Sequence, residues 1–333
     1  MNPKNSGERH GGWIGTLWRN LQGRGVDDEP VREATEHVVQ LADPIIRQAK
    51  RYQQVLHAPI MGAMAHFRSL TEAIPGPVAL NRNQYHDNPL VKALFASPDE
   101  LEEVLRLSPE VNRFRKQGYA GEVMAMMTMQ QNERTIFGTK QQGELLLRDV
   151  RQQTIDFSDH RIVAVAADLE ATKDGIVNRG LEVLATFAME RITTLRARKA
   201  ELQGTREYLK GMMKILGGKS HMQEMFAAPT MKNREELQKA EKALAEVDLE
   251  LEELRKQISL PEHSLGYLEE IIRKSEALLV VRNQSFRLNW MNVRVDDATD
   301  REAHEITLAE FSIEEVLRRS AVLVTFPLTA PAG

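Results

Sequence analysis

The chain is 333 residues long, 42% apolar and 28% charged, with 44 basic against 48 acidic side chains and no cysteine. It can bury a core and is too apolar to be disordered throughout, while a net charge of −4 supplies no global basic field for nucleic-acid phosphates. Without cysteine there are no disulfides, thiolate nucleophiles or Cys-ligated metals, which fits a cytoplasmic address; neither a membrane-spanning run nor a secretory leader is expected.

Residues 1–29 read as a basic amphipathic tail. Over residues 1–26 Lys4, Arg9, Arg19 and Arg24 stand against Glu8 alone, and Trp13, Ile14, Leu17, Trp18 and Leu21 recur on one helical face. Tryptophans on an apolar stripe beside arginine suit a membrane surface or a partner groove, so these five residues form the expected docking element. The run Asp27, Asp28, Glu29, Pro30 then reads as an acidic helix start.

Residues 30–118 read as a helical block, with Val38, Leu41, Ile45, Tyr52 and Leu56 at helical spacing. Pro44 must begin or kink a helix, and Pro59, Pro75 and Pro77 read as punctuation. Residues 81–88 read as a polar loop. Ser97, Pro98 and Glu100 form a capping box that opens a new helix.

From 119 to 167 the pattern changes to the first half of a β-rich body. Short strands are expected around 123–129, 135–137, 154–157 and 161–165, separated by Gln, Asn, Gly and Asp clusters. Met124, Met126, Met127 and Met129 fall on both faces of one strand and read as core filling. The second half spans 276–328. It has strands at 277–281, 286–295 with a bulge after Trp290, 305–311 and 321–326, and a capping box at 312–315 that opens a short helix.

Between the halves, residues 168–275 read as an antiparallel coiled-coil hairpin with its tip near 217–229. Leu237, Ala240, Leu244, Val247, Leu251, Leu254 and Ile258 alternate spacings of three and four. On the first arm Leu181, Ala188, Leu195, Leu202, Leu209 and Leu216 repeat every seven residues, with Leu184, Arg191, Arg198, Thr205 and Met212 as the companion series. Gly217, Gly218 and Pro229 supply the reversal. The arms carry opposite charge: seven basic and three acidic residues in 189–214, against two and eight in 235–254. A fold in which residue i faces residue 446 − i sets Leu202 on Leu244 and Arg198 on Asp248.

The expected fold is therefore α+β: an N-terminal helical block and a split β-rich body with a long inserted coiled-coil hairpin. Met222, Met225 and Phe226 crowd the hairpin tip, where apolar side chains gain nothing from water, and read as a partner-binding surface. Asp156, Asp159 and His160, with His304 and Glu305 from the other half of the body, have the ligand chemistry of a divalent-metal site. A phosphate-binding loop at Gly218, Lys219 and Ser220 is excluded, because Met213 stands where the motif needs glycine. No catalytic motif and no cofactor site is identified, and no motif marks a family. The reading that follows is an interaction or assembly protein, a scaffold or adaptor, that presents the hairpin to other proteins and docks peripherally on a membrane through its N-terminal helix. A homo-oligomer is compatible with it, and nucleic acid is disfavoured as a partner. The alternative is a metal-dependent hydrolytic enzyme with its site in the β-rich body.

Overall fold

The computed structural model describes residues 29–142, 145–216, 231–295, 303–313 and 317–328. The protein is α+β, with one predominantly antiparallel sheet and two long helices inserted between its strands. Packing divides the chain into two compact units. One is built around Ile60–Leu181 and the stretch from Lys274 onward; the other combines Glu33–Pro59 with Glu182–Arg273.

The first unit holds the sheet. Its strands are β1 (Val78–Ala79), β2 (Gly121–Gln142), β3 (Leu145–Ala166), β4 (Leu279–Leu288), β5 (His304–Ile313) and β6 (Leu317–Leu328), ordered β3-β2-β6-β5-β4 with β1 parallel to β6. The two halves of the body join where β2 pairs with β6, from Gly121 against Leu328 to Met129 against Ser320. Pairing then continues past the end of β4. Asn289 and Asn292 turn the chain so that Leu288 pairs with Arg294 and Val293 with Thr154, which returns the ladder to β3. The Ile155 N–H donates to the Asn292 carbonyl at 3.0 Å, and the Arg294 N–H to that of Gln153 at 2.8 Å. Residues 293–294 thus link the end of β4 back to β3 through one bridge on each side.

Alternation on β2 decides which residues fill the core. Val123, Ala125, Met127 and Met129 face one core with Val322, Val324 and Phe326 of β6 and Phe286 and Leu288 of β4. Met126 faces the other side, against Ile74, Ile176 and Leu323. Each large side chain so buried contributes about 2 kcal/mol.

Four short helices pack on the first core: α3 (Arg82–Asp87), α4 (Pro89–Leu94), α5 (Pro98–Leu107) and α6 (Pro109–Lys116). Each has a side-chain cap: Asn81 accepts from the Gln84 N–H, Asn88 from Leu90, Ser97 from Glu100 and Ser108 from Val111. Proline at the first position of the last three loses no bond there. The segment expected as a polar loop at 81–88 is therefore helical, because its asparagines act as caps.

Three further expectations are corrected. The short strands of 119–167 are two strands of 22 residues each. Beyond Met129 the β2–β3 ribbon has no β6 neighbour to pair with, so polar residues occupy positions that read as turns; along the whole ribbon register shifts occur at Met124/Met126, Thr128/Gln130 and Gly138/Lys140. The break after Trp290 is a reversal: the Asn289 carboxamide accepts from the Met291 and Val293 N–H groups, and Asn292 takes a left-handed φ of 57°. Ser312 pairs with Val280 and Arg318 within the sheet, so the residues up to Ile313 are strand and not a helix start.

The second unit contains α1 (Glu29–Ala42) from Glu33 on, a 3-10 turn (Pro44–Gln48), the start of α2 (Tyr52–Glu72), most of α7 (Leu169–Leu216), α8 (Met231–Ile258) and α9 (Pro261–Arg273). A short helix α10 (Ser275–Leu278) leads into β4 in the other unit. Pro44 begins the 3-10 turn, as its chemistry requires, whereas Pro59 lies inside α2 and interrupts one backbone bond without ending the helix.

α7 and α8 are antiparallel. Lys199 Nζ lies 3.0 Å from Ser259 Oγ, and further along α7 Arg206 Nε lies 2.6 Å from Asp248 Oδ1. The seven-residue series is buried from Leu181 to Leu209 and the expected companion Leu184 is buried with it, but the companions that follow differ from the expected ones. Ala185 and Ile192 are buried, with Lys199 and Arg206 half-buried after them, whereas Arg191, Arg198 and Thr205 are exposed. A seven-residue repeat can be completed three or four residues along, and here the apolar Ile192 selects four.

The register moves as well. Arg198 bonds Glu250, Asp248 goes to Arg206, and Leu202 shares a cluster with Leu251, Leu254 and Ile258. In this cysteine-free chain, Leu202→Cys/Leu251→Cys is expected to form an intrachain disulfide on mild oxidation, seen as a monomer of altered gel mobility. Leu202→Cys/Leu244→Cys is expected to form little; equal yields would restore the register read from the heptads alone.

Candidate functional site

The hairpin unit is held by charges at both its seam and its base. Arg198 grips Glu250 with two bonds of 2.8 and 3.1 Å, while Arg206 holds Asp248. These pairs are partly exposed and screened by solvent, so they select alignment more than they add stability. At the base, Arg196 donates to Asp43 at 2.5 Å and reaches Ser264 of α9 at 3.4 Å. Asp43 is buried and also caps the 3-10 turn through the Ile45 N–H, so one carboxylate ties α7 to the preceding connection. Nearby, the Tyr52 hydroxyl donates to Glu36 at 2.5 Å and holds that carboxyl below its usual range, with Gln53 and Arg47 adding to the effect.

In the sheet unit, the expected metal ligands are engaged otherwise. Asp156 lies 3.4 Å from Arg134. Asp159, in a left-handed conformation, accepts from Arg319 at 2.8 Å and from Arg161, and these bonds hold its carboxyl below the usual value. The His160 ring stacks on Phe95 with centroids 4.7 Å apart, and its Nε2 lies 2.8 Å from the Leu94 carbonyl. A carbonyl only accepts, so Nε2 carries the proton. Burial pushes this imidazole's pKa down.

His304 and Glu305 pair with Leu288 and Arg287 on β4. Their strand is separated from β3 by β6 and β2 on one side, and by β4 and the returning 293–294 segment on the other. The five residues are therefore not brought together, and among the described residues no group of three His, Asp or Glu is placed to hold a metal ion.

Two polar features escaped the sequence reading. Glu110 accepts from the Ala164 N–H at 2.7 Å and ion-pairs with Arg179, which supports a left-handed residue in β3. It borders a cavity of about 530 Å³ lined also by Val104, Leu107, Arg113, His160 and Ile162. The sequence signal was present, since Ser108-Pro109-Glu110 repeats the cap-proline-acid order of Ser97-Pro98-Asp99. The second is a network in which buried Arg68 of α2 pairs with buried Asp174 and exposed Glu170 of α7, while buried Lys173 pairs with exposed Glu72 at 2.7 Å. Its members lie about a hundred residues apart in sequence and share no motif. Its charges oppose one another at contact distance, so it holds two helices together.

Trp13, Ile14, Leu17, Trp18 and Leu21, and likewise Met222, Met225 and Phe226, lie outside the described residues. Among the described residues, no helix is long and apolar enough to cross a membrane. No protein-family model matches the chain, and no curated protein or solved structure is detectably similar to it.

His160 yields a pH-dependent expectation. Its folded pKa lies below the unfolded value near 6.5, so the unfolded state binds more protons in that window; the resulting stability is complete above the unfolded value and is lost as pH falls through the folded one. Denaturant midpoints of wild type and His160→Gln are expected to converge as the pH is lowered from 8 to 5. A His160 ring that titrates at its ordinary value by NMR would refute the assignment.

Proposed function

We propose that the protein is an interaction or assembly protein, a scaffold or adaptor, whose α7–α8 hairpin is the partner-binding element. The supporting observation is that the two arms close their apolar seam on each other and still hold large apolar side chains in water. Tyr208 and Ile215 on α7 and Leu249 on α8 are 69%, 62% and 71% exposed. Tyr208 and Ile215 stand seven residues apart on one face of α7, and large apolar side chains repeated along an exposed helix face suit a contact with another macromolecule.

Met222, Met225 and Phe226, between the arms in sequence, belong to the same reading. Replacing all three with serine is expected to abolish recovery of partners from native extract while thermal stability is unchanged. A fall in stability with partners retained would make these side chains a structural plug for the coiled coil.

Peripheral membrane association is the second part of the proposal, carried by the spacing of Trp13, Ile14, Leu17, Trp18 and Leu21 beside basic residues. In liposome flotation with anionic vesicles, the wild type is expected to float and Trp13→Ala/Trp18→Ala to stay behind. Equal recovery of both in the lipid-free fraction would end the membrane assignment.

A further inference from the structure

The first arm of the hairpin carries a second stripe opposite its seam. Ala197, Glu201, Gly204, Tyr208, Gly211 and Ile215 follow one another at spacings of four and three along α7, and all six are exposed. This is coiled-coil spacing on a helix face with no partner among the described residues. The glycines sharpen the point, since each weakens the helix by about 1 kcal/mol relative to alanine. Neither adopts a left-handed φ, and a Cβ on either would meet nothing within 4 Å. Among the described residues, neither the backbone nor the packing requires them. What they create is a pair of hollows beside two large apolar side chains.

Building on the reading of the hairpin as the partner-binding element, we propose that this face binds a second copy of the chain, arm against arm and antiparallel. In a two-fold contact the same patch serves both partners, so each knob must meet a hollow of its own counterpart. The stripe satisfies that condition. With the axis between Lys210 and Gly211, residue i faces residue 421 − i of the second copy. Tyr208 then enters the interval between Gly211 and Ile215, and Ile215 the interval between Gly204 and Tyr208.

Charge agrees with this pairing. Glu207 and Lys214 lie on the same flank of the stripe, and in this register each faces the other's counterpart across the axis. Glu207 lies 3.6 Å from Lys210 and 3.9 Å from Arg206 of its own chain yet remains 71% exposed, open to a cation of the second copy. A parallel arrangement would instead set Glu207 on Glu207 and Lys214 on Lys214, and like charges there oppose it.

The patch is small for a specific interface, so a dissociation constant on the order of 10 μM is expected. Sedimentation equilibrium of the full chain from about 1 to 200 μM should therefore show a monomer–dimer equilibrium. Gly211→Leu fills a hollow on an exposed helix face; it is expected to weaken the dimer at least ~10-fold while the melting temperature stays level or rises. Glu207→Lys is expected to weaken it by a few-fold, and Glu207→Lys/Lys214→Glu to restore it.

A wild type that stays monomeric throughout, a dimer unaffected by Gly211→Leu, or a double charge swap that fails to restore association would each overturn the proposal. Any of these with partner recovery still dependent on the hairpin tip leaves the assembly reading standing. A dimer that behaves as expected supports the proposal even if the tip variant retains every partner, a result that counts against the tip alone.

Discussion

The pairing of β2 with β6 is the constraint on which the rest of the structure depends. It sets Gly121–Met129 beside Ser320–Leu328, so the chain between must leave the sheet and come back. That contact spans most of the sequence. Its loop-closure entropy is offset by the β2–β6 ladder and by the two core clusters packed on the sheet. The inserted helices follow from it: α7 leaves the first half of the sheet, α9 and α10 lead back to β4, and α8 reverses the direction of α7.

Along the hairpin, apolar burial and charge do different work. Ile192, Leu195 and Leu202 pack with Leu251, Leu254 and Ile258 and supply the cohesive term. Half-buried Lys199 and Arg206 interrupt the first arm's seam, and their hydrogen bonds to Ser259 and Asp248 admit few alignments. A seam of leucine alone would slide more easily; polar residues that must find partners restrict it.

The same logic accounts for the charges of the sheet unit that first suggested chemistry. Asp159 is held by two arginines, and His160 by a carbonyl and an aromatic face, so each completes a strand irregularity where β3 departs from ideal geometry. The exposed features of the hairpin are of another kind, since Tyr208 and Ile215 face water and a Cβ at Gly204 or Gly211 would meet nothing within 4 Å among the described residues. That contrast locates the functional reading in the helical unit.

By itself the sequence determined the α+β class, the split of the sheet around a helical insertion, the Ser97 helix start and the seam of α8, because each is written in local periodicity or cap chemistry. It could not show that Asn81 and Asn88 cap helices and do not form a loop, since an Asx side chain serves either geometry. Nor could it choose the companion seam of α7, where Arg198 and Arg206 were equivalent until Glu250 and Asp248 took fixed places opposite them. The residues of the expected metal site were legible as chemistry but not as neighbours. Whether His304 reaches Asp159 depends on strand order, and strand order is settled by which long-range ladders close the sheet, a global balance of burial and entropy that no local spacing records.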